Sequence, residues 1–275
     1  MPRPATPDTQ HLIQLSDLHL LEDAAQGVDW CEACRGLDTD ATLQAVLDEM
    51  QLSEPRIDAL VVTGDIAQTP TPATYRRFRE RLAGEGVPVY CLPGNHDDPD
   101  LLCAAEGGPV RAPASCMLGD WRLIFLDSTC GTDRPHGELG KAGLARLAAE
   151  LRAAPERPTL VLLHHPPIPV GSPWLDAIGL RDGAALLALL RGHRQVRAVL
   201  CGHVHQALDR TVDGVRVLAA PSTCLQFEPG TAEPRYAALP PAYRWLTLHA
   251  DGGIDTGVRW VGAPAGAPPA AARGS

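Results

Sequence analysis

Five short polar segments, each standing where an apolar run of strand length stops, constrain this chain more than any other feature of its 275 residues. They are Asp17-Leu18-His19, Gly64-Asp65, Gly94-Asn95-His96-Asp97, His164-His165-Pro166 and Gly202-His203-Val204-His205. The apolar runs ahead of them, 12–15, 59–63, 87–92, 160–163 and 196–201, read as strands, and segments of helical period lie between them. One helix is predicted over 39–52, with Asp38 or Thr39 as cap and Leu43, Val46, Leu47 and Met50 on one face. A second starts at Thr71-Pro72 and turns Tyr75, Phe78 and Leu82 inward. Two more carry Leu144, Leu147 and Leu151, and the run 184–190. This alternation predicts an α/β fold. In such folds ligands sit beyond the carboxyl ends of the strands, so segments as far apart as Asp17 and His205 can converge on one crevice.

Beyond Cys201 the pattern changes. Runs 208–212 and 215–218 flank Asp213-Gly214, and runs 245–248 and 254–258 flank Asp251-Gly252-Gly253, so the second half leans toward antiparallel hairpins. The hydrophobic content of 45% supports one large domain over 11–261, between a flexible arm at 1–10 and a disordered Gly/Ala/Pro tail at 262–275. A net charge of -9 without a lysine- or arginine-rich run argues against a nucleic-acid partner. The sequence shows neither a signal peptide nor an apolar stretch of membrane-spanning length. Its eight cysteines are scattered, which predicts free thiols in a reducing cytoplasm, Cys31 and Cys34 among them.

Imidazole nitrogen together with carboxylate or amide oxygen suits Zn, Fe and Mn, and the absence of cysteine from the five segments argues against a structural zinc cage. Two cations need more ligands than one segment supplies, and Asp65, alone behind a glycine, is the natural bridge. Asp17, His19 and His205 with Asp65 are expected at one metal, and Asn95, His164 and His203 with Asp65 at the other. His203 and His205 would share one side of an extended strand, whereas a turn would splay them toward different metals. Any one segment could be only a capped turn. All five in this order, each behind an apolar run, are hard to produce by turn chemistry. Ser128 and Ser222 lack the context of a nucleophile elbow.

In this order the segments resemble the calcineurin-like metallophosphoesterase family, whose pattern is Asp-x-His, Gly-Asp, Gly-Asn-His-Asp/Glu, His and Gly-His-x-His, over about 12–205. Within it, Pro135-His136-Gly137-Glu138-Leu139, Leu200-Cys201-Gly202-His203-Val204-His205-Gln206 and Pro221-Ser222-Thr223-Cys224 with Gln226-Phe227 resemble the bacterial class III cyclic AMP phosphodiesterases. The resemblance implies a single-domain, four-layer α/β/β/α sandwich, two metal ions (Fe and/or Mn, with Zn an alternative) and hydrolysis of 3',5'-cyclic AMP to 5'-AMP by a metal-bound hydroxide. It leaves open a broader phosphoesterase acting on 2',3'-cyclic nucleotides or other small phosphoesters, a catalytically silent scaffold, and a homodimer. On this reading His96 contacts the phosphate or protonates the leaving oxygen, with Asp97 orienting its ring, and His19, Asp65, Asn95 and His205 also face the substrate. Trp174 and Phe227 either stack on adenine or belong to the core or surface.

Overall fold

The computed structural model describes residues 9–29, 34–131 and 134–262. In chain order it contains β1 (Gln10–Leu15), α1 (Thr39–Ser53), β2 (Ala59–Thr63), α2 (Pro72–Leu82), β3 (Val89–Leu92), α3 (Pro99–Ala104), β4 (Val110–Arg111), β5 (Ser115–Leu118) and β6 (Trp121–Phe125). There follow α4 (Gly140–Ala153), β7 (Thr159–Leu162), α5 (Pro173–Ala177), α6 (Gly183–Leu190), β8 (Val196–Cys201), β9 (Leu208–Val212) and β10 (Val215–Ala219). Last come β11 (Gln226–Phe227), β12 (Tyr236–Ala237), β13 (Ala242–Leu248) and β14 (Ile254–Trp260). The predicted helices start where their caps lie: Asp38 accepts N–H groups of Asp40 and Ala41 at α1, and Thr71 accepts that of Thr74 at α2.

Strand alternation sorts the apolar side chains into three layers of core. Leu12, Ala59, Val61, Leu92, Leu123, Leu160, Leu162, Ala198 and Leu200 meet between two six-stranded sheets. Their neighbours Ile13, Leu15, Leu60 and Val62 turn outward onto α1 and α2. On the far side Ile124, Val161 and Val199 pack against α4 and α6. Three cores between four layers are the expected α/β/β/α sandwich. The first sheet runs β14-β13-β1-β2-β3-β4 and the second β5-β6-β7-β8-β10-β9. Both predicted hairpins form, and Asp213 and Gly214 adopt the positive φ values, 54° and 82°, of a tight hairpin turn. The second hairpin does not stay with the second sheet, because β13 returns to pair antiparallel with β1 in the first. From β13 the buried Arg244 donates to the carbonyls of Leu208 and Ala219, joining the two sheets.

Two expectations, one on a boundary and one on a thiol, are corrected. Gln10 already belongs to β1 and Thr9 is buried, so 9–10 are part of the domain and not of an arm. Cys34 is disulfide-bonded, against the expectation of a free thiol. It lies in the connection ahead of α1, away from the apolar runs that bury Cys91, Cys201 and Cys224 as free thiols. Cys31, the arm at 1–8 and the tail at 263–275 lie outside the described residues.

The parallel strands β1, β2 and β3 of one sheet and β7 and β8 of the other all release their chains beside the five segments. Asp97 fixes two of those loops together. Its carboxylate accepts the N–H groups of Ile66, Ala67 and Gly94 at 3.0, 3.0 and 2.9 Å and the Tyr75 hydroxyl at 2.9 Å. None of these bonds goes to His96, so the expected role of orienting that ring is corrected: the carboxylate is consumed by backbone donors of the Gly64 and Gly94 loops. Burial and the nearby charge of Asp65 push its pKa up to about 6, against the pull of the backbone donors. Asp97→Asn would set an amide N–H₂ against N–H donors, and we expect it to destabilise the metal-stripped protein by about 1–3 kcal/mol in denaturant unfolding. An unchanged midpoint and slope would show that the brace does not hold these loops.

Candidate metal centre

Gly64 makes the close approach of the loops possible. Its φ is 93°, and a Cβ there would stand 2.5 Å from His164 Nδ1 and 2.7 Å from the Gly94 nitrogen. Asp65 follows it with one oxygen accepting the His96 N–H at 2.9 Å and the other free to face the cluster. That second oxygen, Oδ2, lies 3.3 Å from His164 Nε2 and 3.8 Å from His19 Nε2. Around His19 the set continues with His205 Nε2 at 3.1 Å, which is itself 3.4 Å from Asp17 Oδ1. Around His164 it continues with Asn95 Oδ1 and His203 Nδ1, each at 3.2 Å. The structure therefore brings together all seven side chains singled out in the sequence, in two groups that meet at Asp65. The chain turns after β8, with φ of 71° at His203 and 48° at His205, and the turn sends the two imidazoles to different groups.

Backbone and amide carbonyls settle which nitrogen each ring presents. His164 Nδ1 lies 2.8 Å from the Thr63 carbonyl, His205 Nδ1 2.7 Å from the Leu225 carbonyl, and His19 Nδ1 2.7 Å from Gln68 Oε1. A carbonyl only accepts, so each Nδ1 carries a proton and each Nε2 is the nitrogen that faces the cluster, able to give its lone pair to a cation once it holds no proton of its own. His203 is inverted: Nδ1 faces the cluster, and its buried Nε2 has no hydrogen-bond partner among the described residues. Lone pairs on nitrogens 3.1–3.2 Å apart repel unless a proton or a cation stands between them. Carbonyl-oriented imidazoles around two carboxylates and an amide are a donor set for transition-metal ions, and the residues present fit two of them.

Burial sets the charge state. It pushes His19 down to about 3 and His203 well below its usual range. Against the same burial, imidazole neighbours hold Asp17 and Asp65 below the ordinary carboxylate range. Burial also opposes charging His164, yet the Asp65 and Asp17 carboxylates overcome it and raise the ring to about 9. His165, next in sequence, is a different case, because both its nitrogens are engaged: Nδ1 lies 2.8 Å from Ser128 Oγ and Nε2 3.2 Å from the Pro135 carbonyl.

Strain concentrates here as well. Among the described residues, the non-glycine positions with positive φ are Asp17, His19, Asp65, His203 and His205, besides the hairpin residue Asp213. Such conformations cost roughly 1–3 kcal/mol each and persist only where the surroundings over-determine them. Asp17 shows how: its carboxylate accepts the His203 N–H at 3.0 Å from across the two sheets, its N–H donates to the Gly64 carbonyl, and its carbonyl accepts the Ser222 hydroxyl.

The cluster opens into a small cleft of about 240 Å³. His19, Asp65, Gln68, Asn95, His96, His203 and His205 line it with polar groups, and beside His205 the series Phe227, Trp174 and Tyr236, with Leu175 and Ile178, makes its apolar end. Sequence reasoning missed Gln68, Leu225 and Tyr236. Gln68 had a weak signal, three residues beyond Asp65, whereas the Leu225 carbonyl is backbone and had none.

Comparison with known proteins shows the family. Residues 11–207 match the model of the calcineurin-like phosphoesterase family. A 3',5'-cyclic adenosine monophosphate phosphodiesterase, CpdA, of Pseudomonas aeruginosa is 40% identical over 94% of this chain and 92% of its own. The protein of the same name from Escherichia coli K12 is 39% identical over 90% and 88%. Among solved structures, a dimetal phosphatase from Danio rerio superposes with a TM-score of 0.60 at 17% identity, over 90% of this chain and 98% of its own, which speaks for the fold. The five segments, the two sheets that bring them together and these matches have one explanation: the chain belongs to the calcineurin-like phosphoesterase family.

Proposed function

We propose that this chain hydrolyses 3',5'-cyclic AMP to 5'-AMP at a centre of two metal ions, iron and/or manganese, with zinc the alternative. Asp17, His19, Asp65 and His205 would hold one ion, and Asp65, Asn95, His164 and His203 the other. When bound, such a pair lowers the pKa of water toward neutrality and offsets the negative charge of a phosphodiester. One observation carries the reading: Asp65 Oδ2 stands between the His19 and His164 groups, and the cleft it lines is also lined by aromatic side chains. The substrate is the one named for the bacterial relatives.

The chain's own residues divide the remaining work. His19, Asp65, Asn95 and His205 frame the polar end of the cleft and meet the phosphate there. His96 also lines that end, partly exposed, and its backbone N–H is bonded to Asp65 Oδ1, which fixes its Cα beside the bridge. Its ring is 5.1 Å from that of His19, edge to face. From there the imidazole donates a proton to the 3'-oxygen as the phosphorus–oxygen bond breaks, a step that general acids accelerate. Asp97 contributes by holding the loops, not by touching the substrate.

Product analysis tests the activity. Purified protein loaded with manganese or iron should convert 3',5'-cyclic AMP to 5'-AMP and act on it in preference to 2',3'-cyclic AMP and p-nitrophenyl phosphate. Accumulation of 3'-AMP, or no turnover with either metal, would contradict the proposal. For His96, the expectation is separable from metal loading: His96→Ala should lower kcat roughly 10²- to 10⁴-fold while elemental analysis finds the wild-type metal content. Parallel loss of metal and turnover would make His96 a structural residue instead.

A further inference from the structure

We infer that the apolar end of the cleft is a stacking wall for a flat aromatic base, built from Trp174 and Tyr236 and set in place by Phe227. The inference deepens the proposed function, and rests on it for the identity of the substrate. The three rings form a continuous series. Phe227 meets Trp174 edge to face at 4.8 Å and 89°, and Tyr236 at 5.4 Å and 38°. Each of the three is half-buried, so ring surface is left at the cleft.

Phe227 differs from the other two. It lies on the imidazole of His205, with centroids 4.3 Å apart and planes 27° apart, so one of its faces is taken by the metal centre. Trp174 and Tyr236 flank that ring, and both line the cleft with part of their surface exposed. Trp174 and Phe227 pack against the core that backs the second sheet, and two local elements hold the rings to one another. Phe227 and Tyr236 are partners in the two-stranded ribbon β11–β12, and Trp174 sits in the first turn of α5. A hydrogen bond of 2.8 Å from the Gly230 N–H to Ser172 Oγ ties the ribbon to the start of that helix. Among the described residues, the side chains that line this end of the cleft are uncharged.

An anion fixed at the polar end would thus carry an apolar, planar group against these rings. Inorganic phosphate or a plain sugar phosphate has nothing to place there. A nucleotide does, and base stacking on aromatic side chains tolerates different bases because each presents a π-face. The wall accordingly selects nucleotides over other phosphoesters through the base they carry.

Calorimetric titration of the manganese-loaded protein with adenosine 5'-monophosphate and with ribose 5-phosphate tests this without turnover. The wild type should bind AMP more tightly. Trp174→Ala and Tyr236→Ala should each weaken AMP roughly 5- to 150-fold and leave ribose 5-phosphate unchanged, while Trp174→Phe and Tyr236→Phe keep most of the preference. Equal weakening of both ligands, or none, overturns the wall, as does a wild type that binds both alike even if it hydrolyses cyclic AMP. A wild type that prefers AMP yet leaves cyclic AMP intact overturns the proposed substrate while supporting the wall.

Discussion

The carboxylate of Asp65 is the point on which the two halves of the molecule close. It belongs to the first sheet, at the end of β2, yet one of its oxygens faces His164 from the second. Asp17 repeats the arrangement, receiving the His203 N–H and facing His205 from across the same divide. Both carboxylates are almost wholly buried, at 2% and 0% exposure. An ionised group so far from water is expensive unless cations or hydrogen bonds compensate it. The sandwich therefore does more than enclose a core, because the apolar layer between the sheets sets the distance at which ligands from either side meet.

That closeness has a structural cost which falls on the same residues. Asp17, His19, Asp65, His203 and His205 occupy backbone conformations that L-residues avoid, and Gly64 stands where no Cβ would fit. The strain is held by bonds running between loops. Asp97 gathers three backbone N–H groups, and Thr63, Leu225 and Gln68 fix the rings of His164, His205 and His19. A cluster of this kind is pre-organised: its nitrogens already point inward, so little conformational freedom is left to lose when an ion binds.

Much of this was legible in the sequence because the signals are local. Apolar runs of strand length located β2 and β8 to the residue, a capping threonine followed by proline placed the start of α2, and Asp213-Gly214 fixed a hairpin. The five segments could be read together because each follows its strand directly. Features that depend on tertiary contact were not legible. Nothing in the sequence of β13 says that it pairs with β1, more than 230 residues earlier in its register from Gln10 to Leu248. Asp97 follows His96 and invited the reading of a partnered pair, but its oxygens turn to backbone that only the fold brings near. Tyr236 is separated from Phe227 by a loop, so its place opposite that ring emerges only when the ribbon pairs. The bonded state of Cys34 likewise ran against an expectation drawn from cysteine scatter alone.

In the proposed centre, two ions share Asp65. Diffraction from crystals of the manganese-loaded protein, with anomalous data collected at the metal edge, measures it directly. Two anomalous peaks are expected flanking the Asp65 carboxylate, one contacted by His19 and His205 and the other by His164 and His203. A single peak, two peaks that do not both contact Asp65, or no peak after loading with manganese would contradict it.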